Sequence, residues 1–240
     1  MNLLKSFTVI RLIKRMTSTN VHGKTKTGFV DGKNYDQGRP SYTEKAVSYI
    51  ADIIKDGSRS KSGNISYDVV ELGAGTGKFT QKIINNLPQT VVAAQCFHWF
   101  ASDESLTEIH RVLVPGGKFV MVWNNKDWSV PWVKDIETIL TGYYGDTPRA
   151  VNRTWKTVIE KFSGFQCKEH IFQDGIEFKG DREFVVGHFC TISIIASLPD
   201  DEKEAVRRRM YQVLDSHDET RNQDIIRIPF QTELYHSVKL

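Results

Sequence analysis

The string Glu71-Leu72-Gly73-Ala74-Gly75-Thr76-Gly77 constrains this chain more than any other feature. Before it, residues 67–72 form a short β-rich run with a polar loop ahead of it, which predicts a buried strand. After it, residues 78–86 carry Phe79, Ile83 and Ile84 at helical spacing until Leu87-Pro88 ends the pattern. A strand running through glycines into a helix makes a bend where a ligand meets the main chain closely, because glycine accepts left-handed angles and has no Cβ. A phosphate-cradling GxxxxGK[ST] loop is not met, since Leu72 stands at its first glycine and Phe79 follows Lys78. The dinucleotide pattern GxGxxG fits poorly too, because the spacing here is GxGxG. A tight turn that holds nothing remains a second use of the same residues.

Around the bend, helical and strand-like stretches alternate. Residues 43–54 place Ala46, Val47, Ile50, Ile53 and Ile54 on one helical face; 90–96 and 118–123 are β-rich; 106–113 is helical; Pro115-Gly116-Gly117 is a turn. Such alternation predicts an α/β fold with a parallel sheet. Residues 126–144 predict a helix with Trp128 and Trp132 packed under a lid, and 165–172 and 225–238 predict strands flanking a helical insertion. Within the insertion, Pro199-Asp200-Asp201-Glu202 puts acids at a helix's positive end, and Arg207, Arg208 and Arg209 form a solvated face further on. A length of 240 residues predicts one domain with a cap. Its parts are a flexible basic leader (1–25), a cofactor-binding core (26–145), and cap helices with C-terminal strands completing the same domain (146–240).

The net charge of +3 resides in the leader: residues 1–30 hold six basic groups and no acid, leaving 26 basic against 29 acidic groups elsewhere. That body lacks the basic stripe of nucleic-acid binders, so no nucleic-acid partner is expected. The longest mainly apolar stretch, 91–100, is too short to span a bilayer, so no membrane partner is expected either. Cys96, Cys167 and Cys190 stand far apart without a CxxC pair, which predicts neither disulfides nor a metal site and fits a reducing, cytoplasmic compartment. The leader's amphipathic cationic composition makes mitochondrial import the alternative.

Five strings, the glycine bend among them, stand in order along the chain: Tyr35 with Gly38-Arg39-Pro40-Ser41-Tyr42; the glycine bend; Ala94-Gln95-Cys96-Phe97-His98-Trp99-Phe100; Arg111-Val112-Leu113-Val114-Pro115-Gly116-Gly117 with Trp123-Asn124; and Pro229-Phe230-Gln231-Thr232-Glu233-Leu234-Tyr235. Together they resemble class I S-adenosylmethionine-dependent methyltransferases of type 11, the group that includes trans-aconitate methyltransferase-like enzymes, over most of residues 35–238. The resemblance implies a Rossmann-like three-layer α/β/α sheet with a helical cap, and S-adenosyl-L-methionine as cofactor. It implies that Glu71 holds the cofactor's amino acid end, that Gly73, Gly75 and Gly77 line its path, and that Tyr35, Gln95, Phe97, His98 and Trp99 lie about the sulfonium. Aromatic faces attract a cation by about 0.5–2 kcal/mol. For a small-molecule acceptor, Arg39, Arg149 and Trp128 are the candidate contacts. A carboxylate acceptor needs no base; for a hydroxyl or amine, His98 is the candidate base, and a structural histidine is its other reading.

The sequence departs from the family between Gly77 and Val91. Only residues 78–90 lie there, where the family has two more strands with their helices, and one such unit takes about 30 residues. The chain therefore reads as lacking the second and third strands, and with them the acid that holds the ribose. The first strand then becomes an exposed edge suited to self-association. An inactive truncated isoform or remnant with impaired cofactor binding is the alternative to an active enzyme.

Overall fold

The computed structural model describes residues 38–56, 69–73, 79 and 90–240. Tyr35, Gly75, Gly77, the leader and the helix expected over 78–86 lie outside the described residues, apart from Phe79.

Helix α1 (Glu44–Asp56) opens on Thr43, whose hydroxyl accepts the Ala46 N–H at 3.1 Å. Its buried face, Ala46, Val47, Ile50, Ile53 and Ile54, packs on one side of a five-stranded sheet. The strands are β1 (Val69–Leu72), β2 (Thr90–Ala94), β3 (Lys118–Lys126), β4 (Phe165–Asp174) and β7 (Phe230–Lys239), ordered β1-β2-β3-β7-β4. The first three run parallel, and β7 is antiparallel to both its neighbours. Strand period two assigns the side chains: Val92, Ala94, Val120 and Val122 meet α1, while Val91, Ala93, Phe119, Met121 and Trp123 meet the other layer. That layer is α2 (Asp103–Val112) and α4 (Thr154–Lys161), through Leu106, Ile109, Trp155 and Ile159. Each fully buried Ile, Leu or Val contributes about 1.5–3 kcal/mol.

The cap joins α3 (Pro131–Tyr144), α5 (Arg182–Cys190), α6 (Ser193–Ala196) and α7 (Asp200–Ser216) with a two-stranded antiparallel sheet of β5 (Phe178–Gly180) and β6 (Ile226–Ile228). Its core is Trp132, Ile136, Leu140, Val186, Phe189, Ile195, Met210 and Leu214, among others. Arg208 and Arg209 are exposed as expected, whereas Arg207 is drawn into a salt bridge with Glu183 at 2.6 Å.

Three boundaries differ from the sequence reading. The helix expected over 126–144 begins only at Pro131, because Lys126 still pairs with Phe230 in the sheet and Asp127 accepts from the Ser129 N–H at 3.0 Å, closing a turn. The strand expected over 225–238 is split at Pro229, which has no N–H to give a ladder, so β6 joins the small cap sheet and β7 the main sheet. The strand expected over 90–96 stops at Ala94, since Gln95 turns to φ 61°.

Residues 73–89 alone join β1 to β2, which pair directly, Val69 to Thr90 and Leu72 to Ala93. Among the described residues β1 has no other neighbour.

Candidate active site

At the C-terminal ends of β1, β2 and β3, where open α/β sheets bind ligands, lies a cavity of about 220 Å³. Glu71, Gly73, Ala94, Gln95, His98 and Trp99, from the ends of β1 and β2 and the turn after them, line it together with Arg39, Asn125, Lys126, Trp128, Thr147 and Arg149. The fold thus brings together nine residues selected from sequence: Glu71, Gly73, Gln95, His98, Trp99, Arg39, Trp128 and Arg149 on the cavity wall, with Phe97 behind it. Phe97 is a correction to a cofactor-facing role. Its ring is fully buried in the core, 5.2 Å edge-on from Phe119 and 5.5 Å from Phe100, because the 3-10 turn Phe97–Trp99 directs Phe97 into the core and leaves His98 and Trp99 on the cavity.

Gly73 sits at φ 62°, and a Cβ there would stand 3.0 Å from the Cys96 Cβ and 3.1 Å from its sulfur. Cys96 in turn donates its thiol to the Leu72 carbonyl at 3.0 Å, tying the bend to the end of β2; burial raises its pKa, so it stays a thiol. Glu71, next to the bend, is buried.

His98 is set by its neighbour. The Trp123 indole N–H, which can only donate, reaches His98 Nδ1 at 3.1 Å, so Nδ1 is the acceptor and the neutral ring carries its proton on Nε2. Burial lowers its pKa from 6.5 to about 3. Trp123 is itself fully buried, stacked on Trp155 at 4.2 Å, and the Trp155 indole donates to the Ala150 carbonyl at 2.9 Å. One aromatic column therefore positions both His98 and the loop 147–151 of the same cavity.

Segment 38–41 is clamped from two sides. Arg39 donates to the Thr191 carbonyl of the cap at 3.0 Å, while Asn124 donates to the Ser41 carbonyl at 3.0 Å and accepts from the Thr232 hydroxyl at 3.0 Å. Asn125 donates at 2.7 Å to Glu233, a fully buried carboxylate that also takes Arg153 at 3.0 Å and His170 at 2.8 Å.

The cations differ in their surroundings. Arg149 is paired with Glu137 and stacked 3.8 Å over the Tyr144 ring. Burial raises the Glu137 pKa against the pull of Arg149, and raises that of Tyr144. Lys126 lies 5.1–5.7 Å from the ring centroids of Trp128, Phe189 and Phe230. Burial, then Arg39, pushes its pKa down to about 7. Sequence reasoning missed Lys126, Asn125 and Thr147; the first two directly follow Trp123-Asn124, but their place depends on β3 running past Trp123, which only the pairing with β7 decides.

A sheet of this order, with a glycine bend at the C-terminal end of its first strand, defines the class: the fold is that of the Rossmann-like methyltransferases. A structure assigned as a type II methyltransferase from Anaeromyxobacter dehalogenans superposes with a TM-score of 0.55 at 15% identity, over 84% of this chain and 97% of that one. A loganic acid methyltransferase with SAH superposes at 0.50 and 8% identity, over 90% of this chain and 95% of that one. No family model matches the sequence. The uncharacterized methyltransferase-like protein C25B8.10 of Schizosaccharomyces pombe, however, is 30% identical over 258 positions, covering 89% of this chain and 96% of the relative. The chain belongs to this methyltransferase family. Because the aligned length exceeds the 240 residues of the whole chain, the relative has internal residues that this chain lacks, in line with the short connection between β1 and β2.

Proposed function

We propose that the chain is an S-adenosylmethionine-dependent methyltransferase of the type 11 group that esterifies a small-molecule carboxylate. The observation that carries this reading is the charge of the cavity: among the described residues Arg39, Lys126 and Arg149 line it, Arg149 being paired with Glu137, and Glu71 is the one lining carboxylate. Other lining residues suit the cofactor. Glu71 on the cavity wall would hold a cationic amino group, Gly73 keeps the left-handed bend closed against Cys96, and the His98 and Trp99 rings suit a sulfonium. The cofactor, when bound, supplies a methyl group on that sulfonium.

A carboxylate acceptor attacks with an oxygen lone pair; the methyl C–O bond forms as the C–S bond breaks, the electron pair stays on sulfur, and no proton moves. His98 fits that chemistry, because its neutral ring offers Nε2–H as a donor and burial opposes the second proton a base would have to take. The remaining residues orient the acceptor and exclude water, which in-line displacement mostly requires. Nothing in the fold or the relatives supports the alternative of an inactive remnant.

The test uses methyl-labelled cofactor and a panel of small carboxylic acids. Label released as methanol by mild alkali is the expected ester; label stable to alkali overturns the carboxylate, and no binding of S-adenosylhomocysteine at millimolar concentration overturns the enzyme. Among the described residues no helix is long and apolar enough to cross a membrane. A cytoplasmic location is the reading we adopt, and import through the basic leader is the alternative that fractionation would reveal.

A further inference from the structure

The cavity wall carries polar atoms that the protein leaves unused. Among the described residues, the Trp128 indole N–H and the Thr147 hydroxyl are buried without a hydrogen-bond partner. Half-buried Lys126, which lines the same cavity, makes cation–π contacts to three rings and, among the described residues, no side-chain hydrogen bond or salt bridge. A buried donor without an acceptor costs about 1–3 kcal/mol, so two on one cavity together with an ammonium mark a place where a ligand supplies the acceptor oxygens. Arg149, selected from sequence as the clamp, has its charge met by Glu137. Beside the three donors the cavity presents Phe230, Ile192 and Ile194, an apolar bed for the rest of a small acid.

We propose that Lys126 Nζ, Trp128 Nε1 and Thr147 Oγ1 form the seat of the acceptor's carboxylate, with the apolar body of the acid against Phe230, Ile192 and Ile194. This rests on the carboxylate reading given above. An ammonium caged by aromatic rings keeps its charge available to an anion while the rings shed water from it. The charged groups acting on Lys126 are Arg39 of the lead-in segment, Glu137 of α3, Arg149 of the 147–151 loop and His188 of α5. Burial first, and the cations Arg39 and Arg149 after it, hold part of its population as free amine near neutral pH; a bound carboxylate returns the proton.

The experiment uses the full-length wild-type chain and acetate as the probe. Lysines are acetylated at pH 7.5 with an N-hydroxysuccinimide ester, in 100 mM sodium acetate or in sodium chloride of equal ionic strength, and Lys126 is quantified by peptide mass spectrometry. The expected result is at least threefold slower labelling of Lys126 in acetate, with Lys118 and Lys203 unchanged. The Trp128→Phe/Thr147→Val double variant is expected to keep Lys126 labelling and lose the protection. Equal labelling in both salts overturns the seat, as does an unreactive Lys126 in chloride, which means anions do not reach it. Ester formation without protection removes the seat and keeps the proposed function; protection without ester formation does the reverse.

Discussion

The two ends of the sheet are built differently. On one side β3, β7 and β4, strands of nine and ten residues, pair antiparallel and are pinned by the fully buried Glu233 with Asn125, Arg153 and His170. On the other, β1 has four residues and one described neighbour, yet it carries Glu71 and leads into Gly73, both of which line the cavity. The half that holds the fold together is thus not the half proposed to read the cofactor. Local stability varies in this way across proteins, and a ligand that binds only the native form adds about 2.7 kcal/mol at a hundred times its Kd.

The largest effect expected from breaking this contrast is at its strong end. Trp123→Ala should cost about 3–5 kcal/mol, read as a lower denaturation midpoint, because it removes a fully buried ring stacked on Trp155. Trp123→Phe should keep most of that stability and lose the His98 hydrogen bond, lowering turnover with little change in unfolding. At the weak end the order reverses: Glu71→Gln should leave the melting temperature within a degree or two and weaken S-adenosylhomocysteine binding by about 1.5–3 kcal/mol, roughly 10- to 150-fold by calorimetry. Gly73→Ala, forced to φ 62° against Cys96, should weaken the same binding by about 1–2 kcal/mol. Smallest and most diagnostic is hydrogen exchange: amides of β1 should exchange faster than those of β3, and saturating S-adenosylhomocysteine should slow the first far more than the second.

Acid stability sharpens the comparison from another side. His98 titrates near 3 in the folded protein and near 6.5 when unfolded, so below pH 6.5 the unfolded chain binds more protons. Its contribution is whole above pH 6.5 and declines as pH falls toward 3, by at most about 1.4 kcal/mol per unit. His98→Gln should flatten that part of the urea-midpoint profile between pH 6 and 4; an unchanged slope would show that His98 is charged when folded.

Much of this was legible in the sequence because it was local. The apolar period of 44–54 and the glycine string identified a helix and a bend whatever surrounded them, and the alternation of strands with helices predicted the parallel run β1-β2-β3, though not the antiparallel β7 that makes the sheet mixed. Phe97 was misread because a one-dimensional run of aromatics does not say which ring turns inward. The end of β3 was misread because Asn125 and Lys126 have no strand-like composition and are held extended by Glu233's strand, more than a hundred residues away.

Taken alone, the chain's order of residues determined its family likeness, the carboxylate-and-glycine bend and the shortness of the link to β2, since each is a matter of adjacent residues. Tertiary structure decided which cations share a cavity, that Arg149 is answered by Glu137, that Lys126 stands among three rings, and which nitrogen of His98 bears the proton. Those are through-space facts, governed by distance and burial, and neither quantity is written in sequence separation.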